Sequence, residues 1–348
     1  MNFLSDNAYG AWPEILAAVV RCADGTAPSY GADDVTGRVK QRLGLLFERP
    51  LEAFPVISGT AANALALATL CPPHGAVLCH AEAHIAVDEC GAPEFYTHGA
   101  KLIGLEGENG KITPAGLAAA LSHLLKGFVH HAQPAVLSLT QSTELGTVYT
   151  PAEIAALADL AHANGMKVHL DGARFANALA TLNTSPAAAT WAAGVDVMSF
   201  GATKNGALGA EAVVFFDPAD VGDFEYRRKK AGHLISKMRF VSAQLEAYLD
   251  GGWLARAAHA NALARRLAEG LQSVEGAVLA HPVEANAVFV SLPDGLVRRL
   301  KDGGAQFYLW GPPAGGRSLV RLVTSFATPE ADVERLVALA NSEKMHRG

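Results

Sequence analysis

From about residue 31 to 280 the chain alternates short apolar runs with longer Ala- and Leu-rich amphipathic stretches. This is the pattern of a mostly parallel sheet covered by helices, because parallel neighbours can be joined only by long crossovers. Phe54-Pro55-Val56-Ile57 precedes a helical stretch at 61–70, the run 135–139 precedes another at 151–163, and Lys167-Val168-His169-Leu170 enters a glycine-containing loop. Further strand candidates lie at 195–200 and 212–216, the second closed by Asp217-Pro218. The fold class is α/β.

A helical stretch at 237–272, broken at Gly251-Gly252, leads into short apolar runs at 287–292, 306–310 and 319–324 and a last helix at 329–341. These read as a smaller C-terminal α+β domain. The expected division is an N-terminal segment over 1–30, a large α/β domain over 31–240 and the small domain over 241–348. Half of the 348 residues are hydrophobic and 18% are charged, enough apolar material for a large core and too little charge for long disorder.

Charge excludes some partners. Twenty-eight basic against 34 acidic residues give −6, so no global positive field attracts nucleic acid or an anionic membrane. The opening Met-Asn-Phe-Leu-Ser-Asp has no basic region before an apolar core, and no run approaches the roughly 18 apolar residues of a membrane span. A cytoplasmic location is expected. Cys22, Cys71, Cys79 and Cys90 include no Cys-x-x-Cys pair, which supports neither a disulfide framework nor a cysteine-rich zinc site.

His169-Leu170-Asp171-Gly172-Ala173-Arg174 places a carboxylate and a guanidinium where a buried strand gives way to a loop. Ligands of open α/β sheets bind beyond the carboxyl ends of strands, so both groups belong at a cleft. Alone, the segment fits a structural ion pair or a helix cap equally well. Thr203-Lys204-Asn205 follows another apolar strand, with Gly201, Gly206 and Gly209 around a single lysine. A partly desolvated lysine there has a lowered pKa and suits a Schiff base. Alone, it is a solvated loop lysine; beside Asp171 it meets two needs of pyridoxal phosphate, a Schiff-base amine and an acid for the ring nitrogen. Ser58-Gly59-Thr60-Ala61-Ala62-Asn63, between a strand and a helix, supplies the third, since free N–H groups at a helix start bind phosphate.

His84, in Glu82-Ala83-His84, can lay a flat ring against a cofactor. His80 and His84 are four apart, but Glu82 is misplaced for a His-Glu-x-x-His hydrolase and no third ligand is apparent, so no metal is expected.

The combination resembles the threonine aldolase group of the β-eliminating lyase family, pyridoxal-phosphate enzymes of the aspartate-aminotransferase fold type (fold type I). Ser5-Asp6, Ser58-Gly59-Thr60, Glu82-Ala83-His84, Asp171-Gly172-Ala173-Arg174, Ser199 through Lys204 and Val320-Arg321-Leu322-Val323-Thr324 carry the resemblance in order and spacing. It implies Lys204 as the Schiff-base residue, Asp171 at the pyridine nitrogen, His84 against the ring, and Ser58, Gly59 and Thr60 at the phosphate. Ser5, Arg174 and Arg321 are implied to hold a substrate carboxylate, and Arg174 to contact the cofactor as well. His130 falls where the family has a histidine acting on the substrate hydroxyl, with His131 one position away. Arg228 and Lys229, from a basic run that alone reads as a solvated helix face, are candidates to reach a neighbouring subunit's cofactor phosphate. Shared sites imply a homo-oligomer, dimer or tetramer.

The sequence departs from the family at Thr140-Gln141-Ser142-Thr143, where Glu-Asn-Thr is usual after Leu139. The expected reaction cleaves a β-hydroxy-α-amino acid, threonine, allo-threonine or phenylserine, to glycine and an aldehyde, with His130 or His84 as general base. The alternatives are β-elimination, transamination or racemisation with the same cofactor. A nicotinamide-dependent oxidoreductase lacks its Gly-x-Gly-x-x-Gly here, and a plain binding protein gives no reason for Asp171, Lys204 and the phosphate turn together.

Overall fold

The computed structural model describes residues 1–342. Its large sheet has seven strands: β1 (Glu52–Val56), β2 (Gly75–His80), β3 (Lys101–Leu105), β4 (Gln133–Thr140), β5 (Lys167–Gly172), β6 (Val197–Gly201) and β7 (Glu211–Phe215), in the order β1-β7-β6-β5-β4-β2-β3. β7 runs antiparallel to both its neighbours, and the pairs β6–β5, β5–β4, β4–β2 and β2–β3 are parallel. Every residue of β2, β6 and β7 is buried, as expected for a sheet covered on both faces. β2 and β3 are additions to the strands anticipated from sequence.

The helix Gly59–Leu70 lies against the sheet, with residues 61–68 all buried. Its alanines allow that closeness, because a methyl side chain keeps the helix axis near the strands. Ser58 caps it, its Oγ accepting a hydrogen bond from Ala61 N–H at 3.3 Å. The helix Pro151–Ala163 begins with a capping box between Thr150 and Glu153 and a proline in the first turn.

The small sheet is antiparallel, ordered β10 (Tyr308–Leu309), β11 (Arg317–Val323), β9 (Ala287–Pro293), β8 (Val278–Leu279). The hydrophobic cores divide elsewhere than at residue 240. Val241, Leu245 and Tyr248 of the helix Arg239–Leu249, with Trp253 and Ala257 of the helix Trp253–Gln272, belong to the large core. Residues 263–271 of that second helix pack into the small core. One continuous helix thus spans both cores, which no composition shift marks.

The N-terminal segment is divided similarly. Phe3 is buried in the small core and its carbonyl accepts from Val323 N–H, whereas Trp12 and Ile15 are in the large core. Residues 5–9 cross between them, directly beside the turn that carries Lys204.

Candidate active site

The carboxyl ends of β4, β5 and β6 meet the start of the helix Gly59–Leu70 at one pocket. Gly59, Thr60, Asp171 and Lys204 line it together with His84 and Arg174. Asn63, Glu89, Thr140, Ser142 and Glu144 complete its polar wall.

Lys204 sits in the turn Thr203–Asn205 after β6. Gly206, at φ +114°, closes this turn; a Cβ there would meet Trp12 Nε1 at 1.8 Å, so glycine lets the indole pack against the backbone. Asn205 anchors the other side through Tyr248 Oη at 3.0 Å and Trp253 O at 2.9 Å. Burial lowers the pKa of the Lys204 amine and the nearby Arg174 charge lowers it further. Glu211, where β7 meets the ends of β1 and β6, accepts from Ala202 N–H at 3.0 Å. Burial pushes its pKa up to about 7 against the opposing influence of Thr203 and Lys204.

Asp171 is buried near the end of β5, with Oδ2 accepting from Asn63 Nδ2 at 2.7 Å and Oδ1 from Ala173 N–H at 3.0 Å. His84 opens the short helix His84–Val87. Its backbone N–H donates to Glu144 Oε1 at 2.8 Å, and its Nδ1 lies 2.8 Å from Glu89 Oε1. That Glu89 hydrogen bond raises the His84 pKa despite burial.

Arg174 and Arg321 approach closely enough for each charge to act on the other. Asp6 accepts from Arg174 Nε at 2.7 Å and from Nη2 at 3.0 Å. Arg321 lies over Trp310 at 4.7 Å and over Tyr308 at 5.3 Å, and its buried Nε has no partner. Arg174 is paired with Asp6 while Arg321 has no carboxylate bonded to it among the described residues, which leaves a guanidinium able to take an incoming carboxylate. Ser5 is the neighbouring residue, its Oγ 3.3 Å from Asp6 Oδ1.

The beta-eliminating lyase family model matches residues 2–294. The chain belongs to the beta-eliminating lyase family. It is 43% identical over 348 residues to a low specificity L-threonine aldolase of Pseudomonas aeruginosa, covering 100% of this chain and 98% of that one. It is 42% identical to a second enzyme of that name from a Pseudomonas sp., over 97% of this chain and 96% of the relative. Among solved structures, a Leishmania major threonine aldolase superposes with a TM-score of 0.93 at 28% identity, covering 98% of this chain and 99% of that chain. The architecture is the aspartate-aminotransferase fold type expected from the sequence.

Six expected residues, Ser5, Ser58, His130, Arg228, Lys229 and Arg321, are not among the pocket-lining residues. His130 is exposed in the turn before β4, with its ring 4.9 Å from that of Phe128. Thr140 lines the pocket at the far end of the same strand, and eight residues of strand span roughly 25 Å. His130 is therefore not a pocket residue of its own chain; a histidine-rich turn gives no sign in sequence of which strand end it occupies. Arg228, in the helix Phe224–Lys230, is buried with Nε and Nη2 unpartnered, 5.8 Å over the Phe54 ring, and burial lowers its pKa to about 10. The expectation of a solvated helix face fails for this residue, although Lys229 is exposed, 4.3 Å over Tyr30. Ser58 acts as the helix cap, which leaves the Gly59 and Thr60 N–H groups free for an anion.

Asp6, Asn63, Glu89, Glu144 and Glu211 received no role from sequence. Asp6, Asn63 and Glu89 lie inside or beside segments already singled out, but their partners are 168, 108 and 26 residues distant, or nearer only through a bend such as the one joining Glu89 to His84. Glu144 follows the departure at 140–143 and fills the wall there.

Proposed function

We propose that this chain is a pyridoxal-phosphate-dependent aldolase that cleaves a β-hydroxy-α-amino acid, threonine among them, to glycine and an aldehyde. One observation carries the reading: a half-buried lysine, its amine partly desolvated and held by no hydrogen bond among the described residues, shares a pocket with a buried aspartate and a capped helix start. The pocket fits the cofactor on its own chemistry. Asn63 Oδ1, Glu89 Oε2, Ser142 Oγ and Glu144 Oε2 are all buried there without partners, a concentration of unsatisfied atoms that a polar ligand would relieve. Nothing occupies 4 Å around the Cβ position of Gly59, so the helix start is open to a phosphate.

Pyridoxal phosphate bound here supplies an electron sink for the pair released when Cα–Cβ breaks. Lys204, with its lowered pKa, is the residue that would attach it and later exchange with substrate. Asp171 would hold a proton at the ring nitrogen, and Gly59 and Thr60 would bind the phosphate. Arg174 and Arg321 orient the substrate carboxylate, which fixes the bond to be cleaved; Ser5 supports Asp6 beside them. His84 takes the β-hydroxyl proton at Nε2, the ring nitrogen that Glu89 leaves free.

Trp310 and Tyr308 set aromatic rings against Arg321, beside the proposed carboxylate site, and phenylserine is proposed as a substrate beside threonine. Four unpaired cysteines fit a reducing cytoplasm. The exposed rings of Tyr30, Phe95 and Tyr226, near the unpartnered Arg228, support association with a second copy. No described helix is long and apolar enough to cross a membrane.

Incubation with threonine and pyridoxal phosphate should release glycine and acetaldehyde. Borohydride should abolish a visible band and leave an adduct that peptide mapping places on Lys204. 2-Oxobutyrate and ammonia as products from threonine, or an adduct elsewhere, would overturn the proposal.

A further inference from the structure

Asn63 joins two parts of the pocket that the proposed reaction uses separately. It lies in the buried helix Gly59–Leu70, and its Nδ2 donates to Asp171 Oδ2 at 2.7 Å and to Glu89 Oε1 at 2.9 Å. Glu89 Oε1 also receives Nδ1 of His84 at 2.8 Å. The side chains of Asn63, Asp171 and Glu89 are all buried. An amide nitrogen carries two hydrogens, and this geometry uses both. Without that donor, two neighbouring buried carboxylates would repel and one would take up a proton.

We propose that Asn63 is a positioning residue that couples Asp171 to His84 through Glu89, so that the proton held at the cofactor ring nitrogen and the basicity of His84 are set together. This rests on the reading of the pocket as an aldolase site for pyridoxal phosphate. Glu89 fixes the His84 tautomer by taking the Nδ1 hydrogen, and Asn63 fixes Glu89. The charged groups facing His84 come from four elements: Glu89 after its own helix, Glu144 after β4, Asp171 at the end of β5 and Lys204 after β6. Asp88 follows on the His84 helix itself. Of these, Glu89 touches the ring directly, and it alone is linked through Asn63 to Asp171.

The test is a double-mutant cycle on the full chain loaded with pyridoxal phosphate. Glu89→Gln keeps an acceptor for Nδ1 while removing the charge. It should lower the His84 titration midpoint, followed by NMR with labelled histidine and assigned by its loss in His84→Asn. It should also shift the pH titration of the visible cofactor band by roughly half a unit or more, although Glu89 does not touch Asp171. In an Asn63→Ala background the two carboxylates repel with no shared donor, so Glu89→Gln should still shift His84 but should move the visible band by a clearly larger amount than it does with Asn63 in place. If Asn63→Ala does not fold, Asn63→Ser serves, since one hydroxyl hydrogen cannot satisfy both carboxylates.

A visible-band shift no larger without Asn63 than with it, or no shift in either background, overturns the coupling. A visible band that never forms overturns the reading of the pocket and the coupling with it. A normal band with no glycine or aldehyde from threonine overturns the reaction alone.

Discussion

The carboxylate of Asp6 holds the guanidinium of Arg174 side-on, with Nε and Nη2 at 2.7 and 3.0 Å, across 168 residues of sequence. Asn286 donates to the same carboxylate at 3.0 Å, so one buried acid ties the N-terminal segment to both domains. Burial raises the Asp6 pKa, but Arg174 and Lys204 outweigh it and the net direction is down. Arg174 is thereby turned so that Nε and Nη2 are held by Asp6, and in the proposed reaction its remaining donors meet the substrate carboxylate.

Asp6→Asn should leave Arg174 without its hydrogen-bonded counter-charge, costing about 3 kcal/mol, the usual loss when one member of a buried pair is removed. A carboxyl whose folded pKa is depressed stabilises the fold above its unfolded value, near 3.8, and loses that effect as pH falls through the folded value. The difference between wild type and variant in urea unfolding should therefore be full at pH 6 and vanish in strong acid. KM for the amino acid should rise about tenfold, because the clamp loses its orientation.

Gly206→Ala should be among the most damaging changes outside the pocket. It combines φ +114° with a Cβ placed 1.8 Å from Trp12 Nε1. A loss of roughly 3 kcal/mol or more is expected, read as a fall in Tm and a change in tryptophan emission. Retention of wild-type Tm would show that Trp12 moves aside without cost.

His169 controls part of the response to acid. It is fully buried between Ser138 Oγ at 2.9 Å and Ser199 Oγ at 3.0 Å, and burial lowers its pKa to about 4. The unfolded state takes up a proton near 6.5, so the stability due to neutral His169 is complete above that pH and is lost as pH falls through 4. The loss over this window is of the order of 3 kcal/mol. His169→Asn should flatten the corresponding part of the stability–pH curve, as measured by urea unfolding between pH 7 and 4.

Glu144→Gln should act in the opposite sense. Burial raises the Glu144 pKa, so this carboxyl favours folding below about 4.5 and disfavours it as pH rises through its folded value. Glutamine retains an oxygen for the His84 N–H, now at 2.8 Å, and removes a charge whose Oε2 has no partner. The variant should be more stable than wild type at pH 8, by about 1 kcal/mol, and no more stable at pH 4. Equal gains at both values would mean that charge is not the cause.

Much of this molecule was legible in its sequence because local rules suffice for it. Apolar runs of strand length, the glycines around Lys204 and the Ser58 cap each depend on residues a few positions apart, and those positions lead directly to residues that line the pocket. The beginning of the small domain was not legible, since the helix Trp253–Gln272 changes core without changing composition. Nor was the fate of the histidines. His84 and His130 are equally plain in sequence, but parallel strands carry one to the pocket and leave the other at the opposite end of the sheet.

The sequence by itself determined the α/β class and singled out Lys204, Asp171 and the turn at Gly59-Thr60, which the fold brings to one pocket. Only the tertiary structure decided which charges neutralise one another. Asp6 with Arg174, Asn63 between Asp171 and Glu89, and the unpartnered Arg228 depend on groups brought within about 3 Å, or kept from doing so, by chain segments that fold far apart. In a low-dielectric interior those few ångströms set pKa and orientation, and neither periodicity nor composition encodes them.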